Sequence, residues 1–442
     1  MASTKDLKRV LTLKDLIGVA VGQVIGAGIM SLMGVAIGLT GRSVPISFLL
    51  AAVVILIGSI PTIIVCSTVR LRGSMYTMAA LLSGKGLAGF LMFVTIITNV
   101  SLSMFALSFA DYALSLFPNL PRTLVAFVIL TVFYIVNIFG VDKMAKVQNA
   151  IVGIMIVALF VFVGCGILRI SPDYFTQDFI THGTPGIFQA MAILLFAVNG
   201  AFVVSGLSGE AKNPTRDIPI AIIVGTLAVA VLYALMGVVA SGVLPVAQVA
   251  NQPLTVVAKE IMPPILYVLF VLGGAMFALV STLNAQFASV PKSILQGCVD
   301  GWLPEKIGYL HPKYKTPVVI LTFFYLIGLL PIFAGLDIEE IASMASLLTQ
   351  VCSVLINLCI LRLPKVLPEA WAKSRYKMSQ GMLTFFVVLC TLLGLFNVVA
   401  LASTMTLPLI IGNGVVLVIG LIYVVLRLRS GKVHMEISYE VE

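Results

Sequence analysis

Charged residues are scarce in this 442-residue sequence, and no long polar stretch interrupts it. Lysine, arginine, aspartate and glutamate make up 10% of the chain, whereas hydrophobic residues make up 60% and the mean hydropathy is +1.13. Soluble domains are about a quarter charged and about half apolar. The composition therefore excludes a soluble protein and predicts an all-α chain that crosses a membrane many times, with the lipid bilayer as its surroundings.

Paired cysteines and clustered histidines are also missing. The six cysteines lie in or beside apolar runs and form no Cys-x-x-Cys pair, which argues against a disulfide or zinc framework. His182, His311 and His434 lie far apart in polar segments, so we expect no metal site and no cofactor. No basic patch is interleaved with aromatic residues, and nucleic acid is not an expected partner.

Apolar runs long enough to cross the hydrocarbon core, about 20 residues each, recur along the whole chain. The N-terminal segment lacks the cleavage pattern of a signal peptide, so we take the first run as a retained helix. Residues 1–442 are expected to form a single membrane domain. Twelve spans are predicted, at residues 17–40, 44–69, 87–117, 123–139, 145–168, 187–207, 218–242, 264–296, 316–334, 338–361, 381–402 and 406–426.

Positive charge is distributed unevenly between the two sides of this arrangement. If the N-terminus is inside, four of the 27 Lys and Arg residues fall outside and the other 23 fall inside. The four are Arg42, Arg122, Arg169 and Lys259. Because insertion favours positive loops in the cytoplasm, the asymmetry predicts a multi-pass protein of the plasma or inner membrane with both termini in the cytoplasm.

Glycines weaken the middle of the first span, in the stretch VGQVIGAGIM. Gly22, Gly26 and Gly28 each cost about 1 kcal/mol relative to alanine in a helix interior. Irregular backbone at membrane depth is tolerated only where protein shields it or where it lines a cavity. Close helix packing is the alternative explanation, and Gly34 and Gly38 fit that explanation better.

A second interruption is expected in the sixth span, FAVNGAFVVSGLSG, where Asn199 and Gly200 lie near the middle. Two broken helices five spans apart indicate a five-plus-five inverted repeat with a binding site at the midplane. The expected repeats are residues 17–168 and 187–361, followed by two additional helices at 381–426. Such breaks offer helix N-termini to a carboxylate and carbonyl groups to an ammonium group.

Four stretches resemble the amino acid–polyamine–organocation (APC) transporters, which share the LeuT fold. They are VIGAGIM at 24–30, RGSMYTM at 72–78, GEAKNPTRDIPIAI at 209–222 and DGWLPEKIGYLHPKYKTP at 300–317. The resemblance covers nearly the whole chain and is to bacterial amino acid permeases. It implies a LeuT-like arrangement of twelve helices with helices 1 and 6 discontinuous, and alternating-access transport of an amino acid.

The resemblance also implies which residues bind the substrate. Backbone N–H groups would hold the α-carboxylate, and those groups belong to Gly26, Ala27, Gly28 and Ile29. Carbonyl groups at the two breaks would hold the α-amino group, and the candidates are Val24, Ile25, Phe196, Ala197 and Asn199, beside Gly200. The family places a gating aromatic residue where Phe196 stands, although an ordinary packed or lipid-facing phenylalanine is the alternative.

Two departures from the family bear on substrate and coupling. Relatives that exchange arginine carry Glu two residues after the sixth-helix glycine, where this chain has Phe202. Proton-coupled relatives carry Lys in the middle of the fifth helix, where this chain has Met155. The missing charges favour small or medium neutral L-amino acids, carried by exchange (an antiporter) or by facilitated uptake. Ser281 and Thr282 form the candidate ion site for the alternative, a sodium- or proton-coupled symporter.

The same sequence also bears on other functions and partners. A membrane enzyme is not expected, because no nucleophile–base pair or metal-ligand cluster lies at membrane depth. A non-transporting sensor with a transporter fold and a homodimer both stay open, and no obligatory partner is indicated. Glu210, at the inner end of the sixth span, is expected to be a cytoplasmic gate or a solvated or ion-paired helix end. Lys292 is expected to extend to the membrane interface.

Overall fold

Helices account for nearly all regular structure in the computed structural model, which describes residues 7–335, 338–436 and 438–441. The first helices are α1 (Leu13–Val24), α2 (Ala27–Thr40), α3 (Val44–Thr68), α4 (Ser74–Ser83), α5 (Lys85–Thr98), α6 (Ser101–Leu116) and α7 (Arg122–Ile138). They are followed by α8 (Val141–Ile167), α9 (Gly183–Val198), α10 (Pro214–Gly242), α11 (Val246–Val249), α12 (Thr255–Ile261), α13 (Pro264–Leu269) and α14 (Phe277–Ser289). The last helices are α15 (Pro291–Val299), α16 (Val318–Ala334), α17 (Ile338–Cys359), α18 (Leu363–Val366), α19 (Pro368–Lys373), α20 (Gln380–Thr404) and α21 (Leu407–Arg429). Short 3₁₀ or π segments lie at Gly41–Ser43, Ala201–Leu207, Phe270–Met276, Glu305–Gly308 and Ile360–Arg362, and the described ranges contain two short strands, β1 (Arg70–Leu71) and β2 (Tyr439–Glu440).

Nine helical stretches within the described residues are long and apolar enough to cross a membrane, and α7 and α16 are shorter apolar helices. The first of the nine, Leu32–Thr68, joins α2 to α3 through a tight turn at Gly41–Ser43. Gly41 adopts a φ of 74° there, which favours glycine. The chain is therefore an all-α multi-pass membrane protein, and the count of twelve spans stays a prediction.

The first and sixth spans are interrupted at the predicted places. Ile25 and Gly26 separate α1 from α2 and have extended backbone. After α9, Asn199 is extended and Gly200 adopts a φ of 138°. A 3₁₀ segment, Ala201–Leu207, then continues toward α10. Both interruptions lie inside apolar stretches, so four helix ends face each other within the membrane domain.

Two other apolar runs each form one helical stretch long enough to cross a membrane, and each contains a local irregularity. In the run at 87–117, α5 and α6 meet at a turn at Asn99, whose side chain donates a 2.6 Å hydrogen bond to the carbonyl of Thr95, a bond of the kind that competes with the helical pattern. The run at 264–296 contains a π-helical turn, Phe270–Met276, between α13 and α14. Such turns are frequent near functional sites in long helices.

The interrupted helices lie at the centre of the bundle. The halves of the first span have different neighbours: α1 packs against α8, α10 and α14, whereas α2 packs against α9. The most extensive helix pair is α3 with α10, and the 3₁₀ segment lies against α1 and α10. The broken region is therefore enclosed by helices from both halves of the chain.

The start of α1 is fixed by hydrogen bonds to Asp15. Thr12 donates from its backbone N–H (2.9 Å) and its hydroxyl (2.7 Å) to one carboxylate oxygen, and Asn149 of α8 donates to the other (2.7 Å). Partial burial raises the pKa of Asp15, but these hydrogen bonds outweigh it and hold the pKa below its ordinary value. The carboxylate also suits the N-terminal end of the helix.

One face of the molecule gathers both ends of the described chain. The antiparallel strands β1 and β2 pair Arg70 with Glu440, and Leu11 forms a parallel bridge with Ala211 just after the 3₁₀ segment. We call this surface, which carries Leu11, Arg70, Ala211 and Glu440, the terminal face. It joins the segments before α1, after α3, after the sixth span and after α21.

Arginines from two segments surround the Glu440 carboxylate on the terminal face. Arg9 donates to its two oxygens at 2.7 and 2.9 Å, and the Nε atoms of Arg70 and Arg72 lie 3.6 and 3.8 Å from them. The side chains of Arg70 and Arg72 are only 4% and 3% exposed. Their attraction to Glu440 is therefore screened less by salt than that of an exposed pair.

Candidate functional site

The N-terminal end of α2 lies directly against the C-terminal end of α9. A Cβ built on Gly28 would lie 2.9 Å from the Cα and 3.1 Å from the Cβ of Ala197. The helix α2 begins at Ala27, whose side chain lies outside the described part of the structure. A helix carries about half a positive charge at its N-terminus and about half a negative charge at its C-terminus. The contact therefore places partial charges of opposite sign side by side.

Backbone groups at these two helix ends have no protein partner in the described part of the chain. The N–H groups of Gly28 and Ile29 donate to no acceptor, and the carbonyls of Phe196, Ala197 and Asn199 accept from no N–H group. Such groups are left over wherever a helix begins or ends. These unpaired N–H and carbonyl groups are therefore available to bind a ligand.

The other two ends, those of α1 and the 3₁₀ segment, are also in contact. A Cβ on Gly200 would lie 3.0 Å from both the Cγ and the carbonyl oxygen of Gln23. The Oε1 atom of Gln23 is buried and accepts no hydrogen bond from the residues that the structure describes. The hydroxyl of Tyr233 on α10 donates to the carbonyl of Val24 at 3.3 Å. No sequence pattern pointed to Gln23 or Tyr233, because each acts as a single residue on its helix.

Phe196 lies at the edge of this region. Its Cδ1 atom would be 3.4 Å from a Cβ on Gly28, and the residue is 52% exposed in the isolated chain. The ring is therefore beside the N-terminus of α2 without being enclosed by the protein. This position is compatible with a gate, and that role stays a prediction.

The candidate ion residues lie on α14 against α1. Thr282 Oγ1 is 3.3 Å from the carbonyl oxygen of Gly22 and 3.2 Å from that of Ala278 in its own helix. Ser281 Oγ accepts a 2.8 Å hydrogen bond from the Nε2 atom of Gln148 on α8. A Cβ on Gly22 would collide with that same amide and with the Ser281 hydroxyl. The Gln148 amide therefore fills the space between α1 and Ser281.

Gln148 belongs to a buried network of amide side chains. Its Oε1 atom accepts from Asn284 Nδ2 at 2.8 Å, and Asn284 Oδ1 accepts from Asn137 Nδ2 at 2.9 Å. The network joins α7, α8 and α14 without any charge, and satisfied polar networks of this kind stabilise a buried arrangement. Met155 lies two turns from Gln148 on the same face of α8 and is fully buried. Amides on three separate helices have no characteristic spacing in the sequence, so no sequence pattern predicts this network.

Lys292, which we expected to extend to the membrane interface, is buried instead and that expectation was wrong. Its Nζ atom lies 2.9 Å from Glu210 Oε1, and the two side chains are 6% and 3% exposed. Burial raises the pKa of Glu210, and the charge of Lys292 opposes that rise. The Glu210 carbonyl also accepts the N–H groups of Val10 and Leu11. The ion pair therefore holds the N-terminal segment, the end of the sixth span and α15 together.

Comparison with known proteins adds independent information. The family model described as amino acid permease matches residues 11–426. The branched-chain amino acid permease BcaP of Bacillus subtilis (strain 168) is 27% identical over 392 residues, which are 83% of either chain. The methylthioribose transporter of the same organism is 27% identical over 403 residues, 85% of either chain. The vacuolar cationic amino acid transporter 4 of Arabidopsis thaliana is 26% identical over 393 residues, 82% of this chain and 64% of the relative.

The family match includes both helix breaks, Gly28 and Gly200 among them, and nearly all of the apolar helices. It confirms the resemblance that the four sequence stretches indicated. The relatives are named as permeases and transporters, in agreement with the apolar, multi-pass architecture. The chain is a transporter rather than an enzyme, and it belongs to the amino acid permease family of the APC superfamily.

Proposed function

We propose that the chain carries small or medium neutral L-amino acids across the cell membrane by alternating access, through exchange or facilitated uptake. The observation that carries this proposal is the contact between the N-terminal end of α2 and the C-terminal end of α9, where Gly28 meets Ala197. An α-amino acid bears a carboxylate and an ammonium group on one carbon. Two helix ends of opposite partial charge, side by side, suit both groups at once.

The proposed binding groups are mostly backbone atoms. Four N–H groups would hold the carboxylate, those of Gly26, Ala27, Gly28 and Ile29. Carbonyl groups would hold the ammonium group, those of Val24, Ile25, Phe196, Ala197 and Asn199. We add the Oε1 atom of Gln23 as a further acceptor, because it is buried beside Gly200 with no donor among the described residues. The ring of Phe196 would close over the bound substrate.

The absence of charge around the breaks supports a neutral substrate side chain. The sequences of α2, α9 and the 3₁₀ segment contain no Asp, Glu, Lys or Arg. An unpaired ion at membrane depth costs several kcal/mol, roughly 2.5–3.5 on insertion scales. A cationic or anionic side chain would therefore lack a counter-charge at this position. Among the relatives, the branched-chain amino acid permease fits a neutral substrate, whereas the cationic amino acid transporter does not.

Contacts between loops support the proposed LeuT-like topology with cytoplasmic termini. Arg42 donates to the carbonyl of Asp173 at 2.7 Å, and Arg169 donates to that of Glu260 at 3.1 Å; all four belong to loops assigned outside. On the terminal face, β1 pairs with β2, so the chain between them crosses the membrane an even number of times. Ten crossings separate them in the twelve-span arrangement.

The surroundings of Ser281 support transport without a bound ion. A sodium site needs several oxygen ligands that point at one place. Here the Nε2 donor of Gln148 occupies the space beside Ser281. We expect Met155→Lys, which adds a cation two turns along the same helix face, to change the ratio of exchange to net uptake, with Met155→Leu as its control. If Met155→Lys transports substrate with identical kinetics from both sides of the membrane, Met155 does not contact the coupling site.

Uptake of radiolabelled alanine, serine, leucine and arginine into proteoliposomes tests the proposal. Each would be measured in empty and in amino-acid-loaded vesicles, with and without sodium or proton gradients. We expect saturable uptake of neutral amino acids that is faster into loaded vesicles and insensitive to both gradients. Transport of arginine alone would refute the neutral-substrate assignment.

Two other outcomes would favour the alternatives. Uptake into empty vesicles that requires a sodium or proton gradient would establish a symporter, and for sodium it would assign Ser281 and Thr282 to the ion site. Substrate binding without any uptake, in protein inserted in both orientations, would establish a sensor that has kept the transporter fold.

A further inference from the structure

We propose that a cleft on the terminal face binds the phosphate group of an anionic phospholipid. The cleft lies between the end of α3, the start of α10 and the segment 368–375, which contains α19. Its volume is about 230 Å³. That is the liquid volume of roughly eight water molecules at about 30 Å³ each, and less than the roughly 300–1,000 Å³ of a drug-sized pocket. It therefore suits one compact ionic group.

Hydroxyl groups form one wall of the cleft and are fixed in place. Ser374 Oγ lies 3.0 Å from Ser67 Oγ and 3.1 Å from Thr68 Oγ1. The Ser67 and Thr68 hydroxyls both lie 2.8 Å from the carbonyl oxygen of Ile64 in their own helix. Because Ser67 and Thr68 are buried, these bonds hold the segment 368–375 firmly against α3. Because Ser67 and Thr68 donate their hydroxyl hydrogens to the carbonyl of Ile64, Ser374 is the hydroxyl of this wall that can donate to a phosphate oxygen.

Three cations also line the cleft: Arg216 on α10, and Lys373 and Arg375 on either side of Ser374 in the chain. None of them forms an ion pair with a carboxylate of the described residues. Asp217, the residue after Arg216, is buried and has an interaction partner of its own. Arginine binds phosphate through two parallel N–H donors, and lysine binds it as a point charge. The cleft therefore combines three cations and has no carboxylate among its lining residues.

The start of α10 adds a further favourable contribution. This helix of 29 residues begins at Pro214, and the side chain of its N-cap residue, Asn213, makes no capping hydrogen bond. Thr215 and Arg216, in its first turn, line the cleft. The N-terminal end of a long helix attracts anions, and phosphate is the commonest of them.

The position of the cleft favours a lipid over a soluble phosphate. It lies where α3 ends and α10 begins, which is the level of the lipid headgroups for both helices. Shortly after Arg375, α20 begins and exposes Met382 and Phe385 by 52% and 62%. A lipid whose phosphate occupies the cleft can lay an acyl chain along this apolar surface. Basic pockets between membrane helices bind anionic headgroups by the same combination.

The fluorescence of Trp371 gives a direct measurement of lipid binding. Trp371 lies in α19 between Ala370 and Lys373, which line the cleft, and the chain has two tryptophans. With Trp302→Phe, it becomes the single emitter. Brominated phosphatidylglycerol, titrated into protein in phosphatidylcholine nanodiscs, is expected to quench this emission at low mole fraction. Each cleft cation that pairs with the bound phosphate is expected to contribute about fivefold to anionic-lipid affinity. Replacing three with glutamine should therefore raise the half-quenching concentration roughly a hundredfold.

The matched variants separate the cleft from general surface charge. The test variant is Arg216→Gln, Lys373→Gln and Arg375→Gln together, and the control removes three exposed cations elsewhere, with Lys306→Gln, Lys313→Gln and Arg429→Gln. We expect quenching to weaken in the first and to stay unchanged in the second. The proposal would be overturned if the test variant were quenched as strongly as the unsubstituted protein. It would also be overturned if brominated phosphatidylcholine quenched as strongly as brominated phosphatidylglycerol.

A competition experiment with inorganic phosphate distinguishes the lipid from a soluble anion. Inorganic phosphate at millimolar concentration is expected to leave the quenching by brominated phosphatidylglycerol unchanged, because it lacks the apolar contact with α20. If inorganic phosphate displaces the lipid completely, the cleft binds a soluble anion and the lipid assignment is wrong. Native mass spectrometry of the wild-type chain supplies a second readout, with retained phosphatidylglycerol lost from the test variant and kept by the control.

Discussion

Gly28→Ala tests the contact between α2 and α9 with the smallest side chain available. The new Cβ would lie 2.9 Å from the Cα of Ala197, whereas ordinary contacts begin at 3.4 Å. The two helix ends must therefore separate by about half an ångström. Overpacking of this kind costs about 1–3 kcal/mol, which is roughly a 5- to 150-fold change in an equilibrium. If binding requires the closed contact, kcat/KM for exchange should fall by a factor in that range, and further for Gly28→Val.

Initial exchange rates in proteoliposomes, measured over a range of substrate concentrations, give this ratio. Gly153→Ala on α8 is the control, because a Cβ there meets no described atom within 4 Å. It should transport normally and be at least as stable, since alanine favours helix over glycine by about 1 kcal/mol. Unfolding in detergent shows whether the Gly28 variants remain folded. Wild-type kinetics in folded Gly28→Ala would refute the assignment of this contact to the substrate.

Three further changes test other parts of the structure. Phe196→Ala should raise KM or lower turnover without lowering the unfolding temperature; unchanged kinetics would reassign the ring to packing or lipid contact. Lys292→Met and Glu210→Gln should each destabilise the protein by about 3–5 kcal/mol in denaturant titrations, because each leaves the remaining charge buried without its partner. Wild-type stability in either variant would contradict the buried pair. The lowered pKa of Asp15 means that its stabilisation is complete above the ordinary pKa of aspartate and is lost as the pH falls through the lowered value. The stability difference between wild type and Asp15→Asn should therefore shrink on acidification. A pH-independent difference would contradict stabilisation by the ionised Asp15 carboxylate.

The helix breaks were predictable because their cause is local. Gly26 and Gly28 lower the cost of unwinding within a few residues, and Asn199 followed by Gly200 does the same in the sixth span. Apolar length likewise indicated the membrane helices, since each span is defined by its own composition. The turn between α5 and α6 was not predicted, although the hydrogen bond of the Asn99 side chain is also local.

Contacts between distant segments could not be predicted in this way. Nothing in the sequence around Gln148 indicates that its amide reaches Ser281 on α14, because the contact depends on how two helices pack. Lys292 has the length to reach the interface, and only the three-dimensional position of Glu210 explains why it turns inward. In both cases a polar group finds a buried partner more than 80 residues away in the chain.

The pairing of β1 with β2 has a consequence for biosynthesis. Arg70 and Leu71 emerge from the ribosome after α3, whereas Tyr439 and Glu440 emerge only after α21. The sheet can therefore form only when every membrane helix has been made and has reached its final side. A helix inserted with the wrong orientation would leave Glu440 across the bilayer from its partners. The two short strands thus give added stability to the correctly inserted chain alone.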